Sequence, residues 1–185
     1  MKVQQTTWAN VQDAGLSTQA PPIPSSTPEP VEVLTDYTAT IILNPTTREL
    51  TCSEKIVYTN NSDKEVSEIK LNVFINAFSA SATKKPYVPE DEQLFFPLGK
   101  DYARIHFSDI TALGQMLEFK LTETSLSITL PEVLPPQGST EITLSFNAYI
   151  PLMTARTGAD GRGMWFGAFL PTVAVLDKDG WHDEQ

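Results

Sequence analysis

The sequence predicts an all-β fold, an antiparallel β-sandwich or a curved, saddle-like sheet. Three observations carry that expectation. Apolar and polar residues alternate through most of the chain, clusters of turn-forming residues separate the alternating runs, and no segment repeats apolar residues convincingly at helical spacing. Successive side chains of an extended chain point to opposite faces, so alternation marks a strand with one buried side.

The elements follow in order. Residues 1–33 carry Pro21, Pro22, Pro24, Pro28 and Pro30 among Ser, Thr and Gln. Such a segment has fixed backbone angles and little to bury, and reads as a proline-rich flexible tail or linker. Residues 34–185 form the all-β domain. Tyr37, Ala39, Ile41 and Leu43 share one face, and Asn44-Pro45-Thr46-Thr47 then turns the chain. Leu50, Cys52, Ile56 and Tyr58 line the next strand, with Glu54 the one charge on its apolar side. These two runs read as a hairpin. After the turn cluster Asn60-Asn61-Ser62-Asp63, residues Ile69, Leu71, Val73 and Ile75 alternate with Lys70, Asn72 and Phe74, which extends the hairpin to a meander with one buried face.

The pattern breaks at Asn76-Ala77-Phe78. An irregular stretch runs through Tyr102, interrupted by Pro86, Pro89 and Pro97, and Phe95-Phe96 is expected to pin it to the core. Strand signals return at Ile105 and Phe107, at Leu117, Phe119 and Leu121, at Leu126, Ile128 and Leu130, and from Ile142 through Leu144, Phe146 and Ala148 to Ile150. Pro135-Pro136-Gln137-Gly138 is a strong turn between the last two. Seven or eight strands with short connections describe a sandwich or curved sheet.

Composition excludes several classes of function. A chain of 185 residues with a formal charge of −10 repels nucleic acid, because phosphate binding needs clustered Lys and Arg and the one basic doublet is Lys84-Lys85. No apolar run approaches the roughly 18 residues of a membrane span, and Met1 to Gly15 lacks the apolar core of a signal sequence. The proline-rich stretch suits a spacer on an extracellular or cell-envelope protein. Cys52, the single cysteine, excludes an internal disulfide.

The residues that tempt a chemical reading have plainer accounts. His106, between Ile105 and Phe107, reads as a residue on the polar face of a strand. Cys52 lies on the Leu50 and Ile56 face with no neighbouring histidine, as a core side chain does. His182, Asp183 and Glu184 are suitable metal ligands by type but have no visible convergent partner, and a solvent-exposed or interface histidine is the simpler reading. Asp177-Lys178-Asp179-Gly180 lacks the further oxygen ligands of a calcium loop and reads as a hairpin turn. Gly158, Gly161, Gly163 and Gly167 follow no strand-to-helix junction, which argues against a phosphate-cradling loop. No catalytic set and no metal set is expected, because no nucleophile, base and orienting group can be named together.

Several stretches carry a family resemblance by their order. They are Tyr37 to Tyr58 with Leu43-Asn44-Pro45, Leu71 to Phe78, Leu134-Pro135-Pro136-Gln137-Gly138 leading into Ile142 to Pro151, and Trp165-Phe166 through Pro171, Ala174-Val175 and Asp179-Gly180-Trp181-His182. Over residues 35–185 this order resembles the amino-terminal β domain, or saddle domain, of the gluzincin zinc aminopeptidase family, which includes aminopeptidase N and leukotriene hydrolase, and is most similar to its bacterial members. The resemblance implies a noncatalytic domain that walls an active-site cleft and packs on a downstream catalytic domain. That domain would hold zinc with His-Glu-x-x-His and a further glutamate, which this chain lacks, so no cofactor is expected here. The family's Gly-x-Met-Glu-Asn segment is absent, and Gly163-Met164-Trp165 does not supply it. Where relatives carry Gln-Phe-Glu-Pro, this chain has Ala168-Phe169-Leu170-Pro171, with Leu170 in place of the acid. Trp165, Phe166, Phe169, Trp181 and His182 are the expected domain-interface residues. An ending at Gln185 would truncate such a domain and leave an exposed edge through which copies self-associate. The alternative is a freestanding extracellular interaction module, an adhesion or carbohydrate-binding sandwich on a proline-rich stalk.

Overall fold

The structure, a computed structural model, describes residues 33–183. The expected tail over residues 1–33 therefore lies outside the described residues apart from Val33, as does Glu184. Strands predominate and lie in antiparallel sheets, so the fold is all-β.

The first two strands, β1 (Asp36–Asn44) and β2 (Glu49–Thr59), form the expected hairpin in unbroken register, with Tyr37 opposite Ile56, Ile41 opposite Cys52 and Leu43 opposite Leu50. Residues directly opposite in an antiparallel pair share a face, so both apolar sets point the same way. The Asn44 side-chain oxygen accepts from the Thr46 and Thr47 amides at 3.1 and 3.3 Å, which is how an asparagine mimics a backbone turn. Arg48 closes the turn in the left-handed region, φ +59°.

The meander expectation fails at the next strand. β3 (Val66–Asn72) does not pair with β2; it pairs with β7 (Ser125–Leu134) in a second sheet. β2 pairs instead with β8 (Ser139–Tyr149), which also pairs with β4 (Arg104–Ala112). Adding β5 (Gln115–Met116), the first sheet runs β1-β2-β8-β4-β5. With β6 (Phe119–Thr122) and β11 (Thr172–Val173), the second runs β11-β3-β7-β6. The physical reason is simple. A strand that faces its predecessor across a core shows the same alternation as one that pairs beside it.

Two of the crossings between the sheets, β2 to β3 and β7 to β8, meet at one residue. Asn60, fully buried, donates its side-chain amide to the carbonyls of Lys64 at 2.7 Å and Leu134 at 3.1 Å. Its backbone carbonyl accepts from the Gln137 amide and its amide donates to the Gly138 carbonyl, so the β2–β3 and β7–β8 links are tied together. Between the sheets lies one core that draws Leu50, Ile56, Leu144 and Phe146 from the first and Ile69, Leu71, Leu126 and Ile128 from the second.

The seven strands of four or more residues match the expected number, and the remainder are short ribbons. The chain leaves β3 at Asn72, so Ile75 is not a strand residue; it sits in a 3₁₀ turn, Phe74–Phe78, with Ile75 and Ala77 buried. The irregular stretch that follows includes one short helix, α1 (Glu92–Phe95). Phe96 is buried, and the Tyr87 ring centroid lies 6.4, 5.0 and 5.9 Å from those of Phe78, Phe95 and Phe96, so aromatic packing holds this stretch in place.

Candidate functional site

An apolar concavity forms where several segments far apart in sequence meet. One wall is the Phe74–Phe78 turn with Phe95 of α1, and the other is the run Thr154–Thr157 with Gly167 and Ala168. The volume is about 520 Å³. Among the residues lining it, Arg156 is the one ionisable side chain.

Close backbone approaches build the second wall. The ribbon formed by β9 (Thr157–Ala159) and β10 (Met164–Phe166) is closed by Asp160, whose carboxylate accepts from the Arg162 and Gly163 amides at 2.8 and 2.9 Å. These amides and the Arg162 guanidinium hold the Asp160 carboxyl below the usual range. The four glycines thus belong to a ribbon and its flanks. A Cβ on Gly158 would lie 2.1 Å from the Met153 carbonyl oxygen, and one on Gly167 would lie 2.7 Å from that of Arg156, so neither position admits a side chain. The Gly167 amide donates to the Arg156 carbonyl at 2.9 Å, and the Thr157 hydroxyl donates to the Gly167 carbonyl. Ala168 follows with φ +57°, a conformation that costs a non-glycine residue about 1 kcal/mol or more. The rim of the concavity is therefore fixed by backbone hydrogen bonds, and it offers an incoming group apolar surface rather than acid–base chemistry.

The expected interface residues fall into two groups. Trp165 and Phe166 lie on β10, where the Trp165 indole donates to the Ala155 carbonyl at 2.6 Å. Phe166 is partly exposed and packs edge-on against buried Phe169, centroids 5.8 Å apart. Trp181 and His182 lie on a separate hairpin, β12 (Val175–Asp177) with β13 (Gly180–His182). There Trp181 packs on Tyr58, 6.1 Å between centroids. No aromatic pair joins the two groups among the described residues.

The other candidates are dispersed. His182 Nε2 meets Asp177 Oδ2 at 2.9 Å across its hairpin, and this hydrogen bond depresses the Asp177 carboxyl. Asp183 turns elsewhere, to Lys70 at 3.0 Å and to the Ser125 hydroxyl. Asp177-Lys178-Asp179-Gly180 is the hairpin turn, with Gly180 at φ +115° and the Asp179 amide donating to Asp177. His106 is an exposed β4 residue opposite Asn147. Cys52 is buried, and burial followed by the nearby Glu54 carboxylate pushes its thiol up to about 11, so it stays a protonated core group. Among the described residues no three His, Cys, Asp or Glu side chains converge as metal ligands do.

Sequence reasoning missed two features. Arg48, Asp101 and Tyr149 form a polar clamp. Arg48 bonds Asp101 at 2.7 Å, and the Tyr149 hydroxyl donates to the same carboxylate at 2.9 Å. The Leu152 amide donates to it at 2.8 Å, and Arg104 stacks 3.8 Å from the centroid of the Tyr149 ring. Nothing in the spacing of these residues announces their meeting. The concavity itself was also missed, because its walls are short elements without periodicity.

No family model and no curated protein matches this sequence. Among solved structures, an M1 zinc metallopeptidase from Deinococcus radiodurans is similar at 15% identity over 70% of this chain and 24% of that chain, with a TM-score of 0.43. A variant of it is similar at 15% identity over 74% of this chain and 28% of that chain, TM-score 0.45. A two-domain M1 zinc metallopeptidase variant bound to L-arginine gives 14% identity over 69% and 22%, TM-score 0.40. The chain spans about a quarter of the length of those chains, and it is to part of M1 zinc metallopeptidases that it is similar.

Proposed function

We propose that this chain serves as a noncatalytic β domain of a zinc metallo-aminopeptidase-like protein, packing on a catalytic domain and walling one side of its cleft. The observation that carries the reading is the rigid apolar concavity at Gly167–Ala168. It lies on the segment where the sequence resembles the family's substrate-facing run, and it is shaped to receive an apolar side chain, with Arg156 its one ionisable lining residue and the Thr154 and Thr157 hydroxyls committed to backbone carbonyls. Partly exposed Phe166 beside it supplies apolar surface for a packed partner. Zinc and the activated water would then belong to the catalytic domain. With Leu170 in place of the acid, this domain would shape the cleft sterically and would not grip the substrate's amino group.

The test is to read the gene beyond Gln185 and to assay both forms. We expect a His-Glu-x-x-His helix roughly one domain downstream, activity on aminoacyl chromogenic substrates in the longer protein, and none in residues 1–185. In the longer protein Ala168→Trp, which fills the concavity, should change KM across substrates of different first side chain while leaving zinc content unchanged. One tightly held zinc per copy of the 185-residue chain, removed by a chelator together with activity, would overturn the proposal.

A further inference from the structure

The two larger sheets end in four edge strands, and these differ sharply. β5 and β11 have two residues each and β6 has four, whereas β1 has nine. Short edges resist pairing with another chain, as do charges, prolines and bulges. β1 has none of these between Tyr37 and Leu43, and its register with β2 is unbroken. Apart from its bonds to β2, no backbone hydrogen bond leaves Asp36–Asn44 among the described residues.

The side chains of β1 match this open edge. Tyr37 reaches across to the second sheet, where its hydroxyl accepts from the Val173 amide at 3.0 Å. Beyond that point the second sheet no longer covers the strand. Ile41 is 42% exposed on the inner face and Ile42 is 66% exposed on the outer one.

The geometry points to β1 as a homodimer interface, in which the strand pairs antiparallel with β1 of a second copy, centred on Thr40. That register sets Tyr37 opposite Leu43 of the second copy, Ala39 opposite Ile41, Thr38 opposite Ile42 and Asp36 opposite Asn44. Every inner-face residue meets an inner-face residue, and no like charges meet. Two five-stranded sheets become one continuous sheet of ten. A two-fold axis matches like faces for any strand; what suits this one is that its inner face is apolar throughout and that its one charge, Asp36, meets the neutral Asn44.

Thr40 lies on the axis and is exposed, so it tests the register directly. Sedimentation equilibrium of the chain should give about twice its 20.4 kDa mass at high micromolar concentration. Thr40→Lys and Thr40→Glu should each raise the dimer dissociation constant several-fold, because each places like charges directly opposite. An equimolar mixture of the two should restore the dimer. Ser53→Lys, on the same face one strand inward, should leave it intact. Among residues 37–43, the alternate amides that point away from β2 should exchange more slowly as protein concentration rises. A monomer at every concentration overturns the proposal. So does concentration-independent protection of those amides, which would mean that another segment of the same chain covers the edge, and so does a dimer indifferent to both Thr40 substitutions.

Discussion

β1 and β2 write the same pattern and meet different fates. Each alternates apolar and polar residues, they pair residue for residue, and their apolar sets share one face. Yet on β2 Leu50, Cys52 and Ile56 are buried, while their partners Leu43, Ile41 and Tyr37 are all exposed. Alternation therefore declares which face of a strand is apolar, and says nothing about whether a second layer extends far enough to cover it. Cover depends on position in the sheet. β2 is flanked by β1 and β8 and lies over the second sheet, whereas β1 is an edge that among the described residues Tyr37 alone ties to β11 by a hydrogen bond.

The largest effect should come from truncating matched partners. Ile56 is fully buried, so Ile56→Ala should cost about 3–4 kcal/mol, in the range of a core cavity with partial relaxation. Ile41→Ala, at a position 42% exposed, should cost under about 1 kcal/mol. Urea denaturation of dilute protein measures both. Equal losses would mean that β1 is covered and would erase the distinction between the strands.

Glu54 sharpens the same contrast with a charge. It lies on the inner face of β2 between Ala39 and Leu144, fully buried, and neither carboxylate oxygen has a hydrogen-bond partner among the described residues. Burial pushes its pKa up to about 7, so the folded protein keeps the proton that the unfolded chain releases at about 4.3. The stability this proton confers is fully present below about pH 4 and is lost as pH rises to about 7, a change of up to about 3 kcal/mol. Asp101 and Asp183, both held low, change stability at the acid end instead. Cys52 titrates near 11, outside the window. Glu54→Leu should be more stable than the parent at pH 8 and should flatten the curve between pH 5 and 8. A parent whose denaturation midpoint does not move over that range would show that Glu54 is solvated or paired.

The legible part of the fold was what local chemistry determines. The faces of both strands, the Asn44 turn, the Pro135–Gly138 turn and the Asp177–Gly180 hairpin all follow from side-chain periodicity or from residues that favour particular backbone angles. Partner choice was not legible. β3 leaves β2 for the second sheet, and Asn60, which ties that crossing to the β7–β8 link, looked like one member of a polar turn cluster. The site was not legible: none of Trp165, Phe166, Phe169, Trp181 and His182, the expected interface residues, lines the concavity. Its cavity depends on Gly158 and Gly167 lying against carbonyls of Met153 and Arg156, approaches that no sequence pattern marks.

A smaller effect than that of either core group on β2, Ile56 or Glu54, concerns the turn that joins the two strands. Arg48 anchors its end of the hairpin to Asp101 and to the Ile150 carbonyl, fixing β2 to the segment after β8. Burial alone would raise the Asp101 carboxyl, but hydrogen bonds from the Leu152 amide, Arg48 and Tyr149 outweigh it and hold the pKa below the usual range. A depressed carboxyl contributes stability above its unfolded value of about 3.9, which is lost as pH falls through the folded one. Asp101→Asn keeps the shape, removes the charge and should cost about 1–2 kcal/mol at neutral pH, as expected for a charge-assisted hydrogen bond at a partly buried site. The loss should vanish in acid. Amide exchange supplies the spatial test. In dilute, monomeric protein, residues 37–43 should speed up more than residues 50–58, because there the edge strand has a neighbour on one side only and depends on the turn for its alignment. Equal acceleration of both strands would show that the clamp supports the sheet as a whole and that the edge is no weaker than the centre.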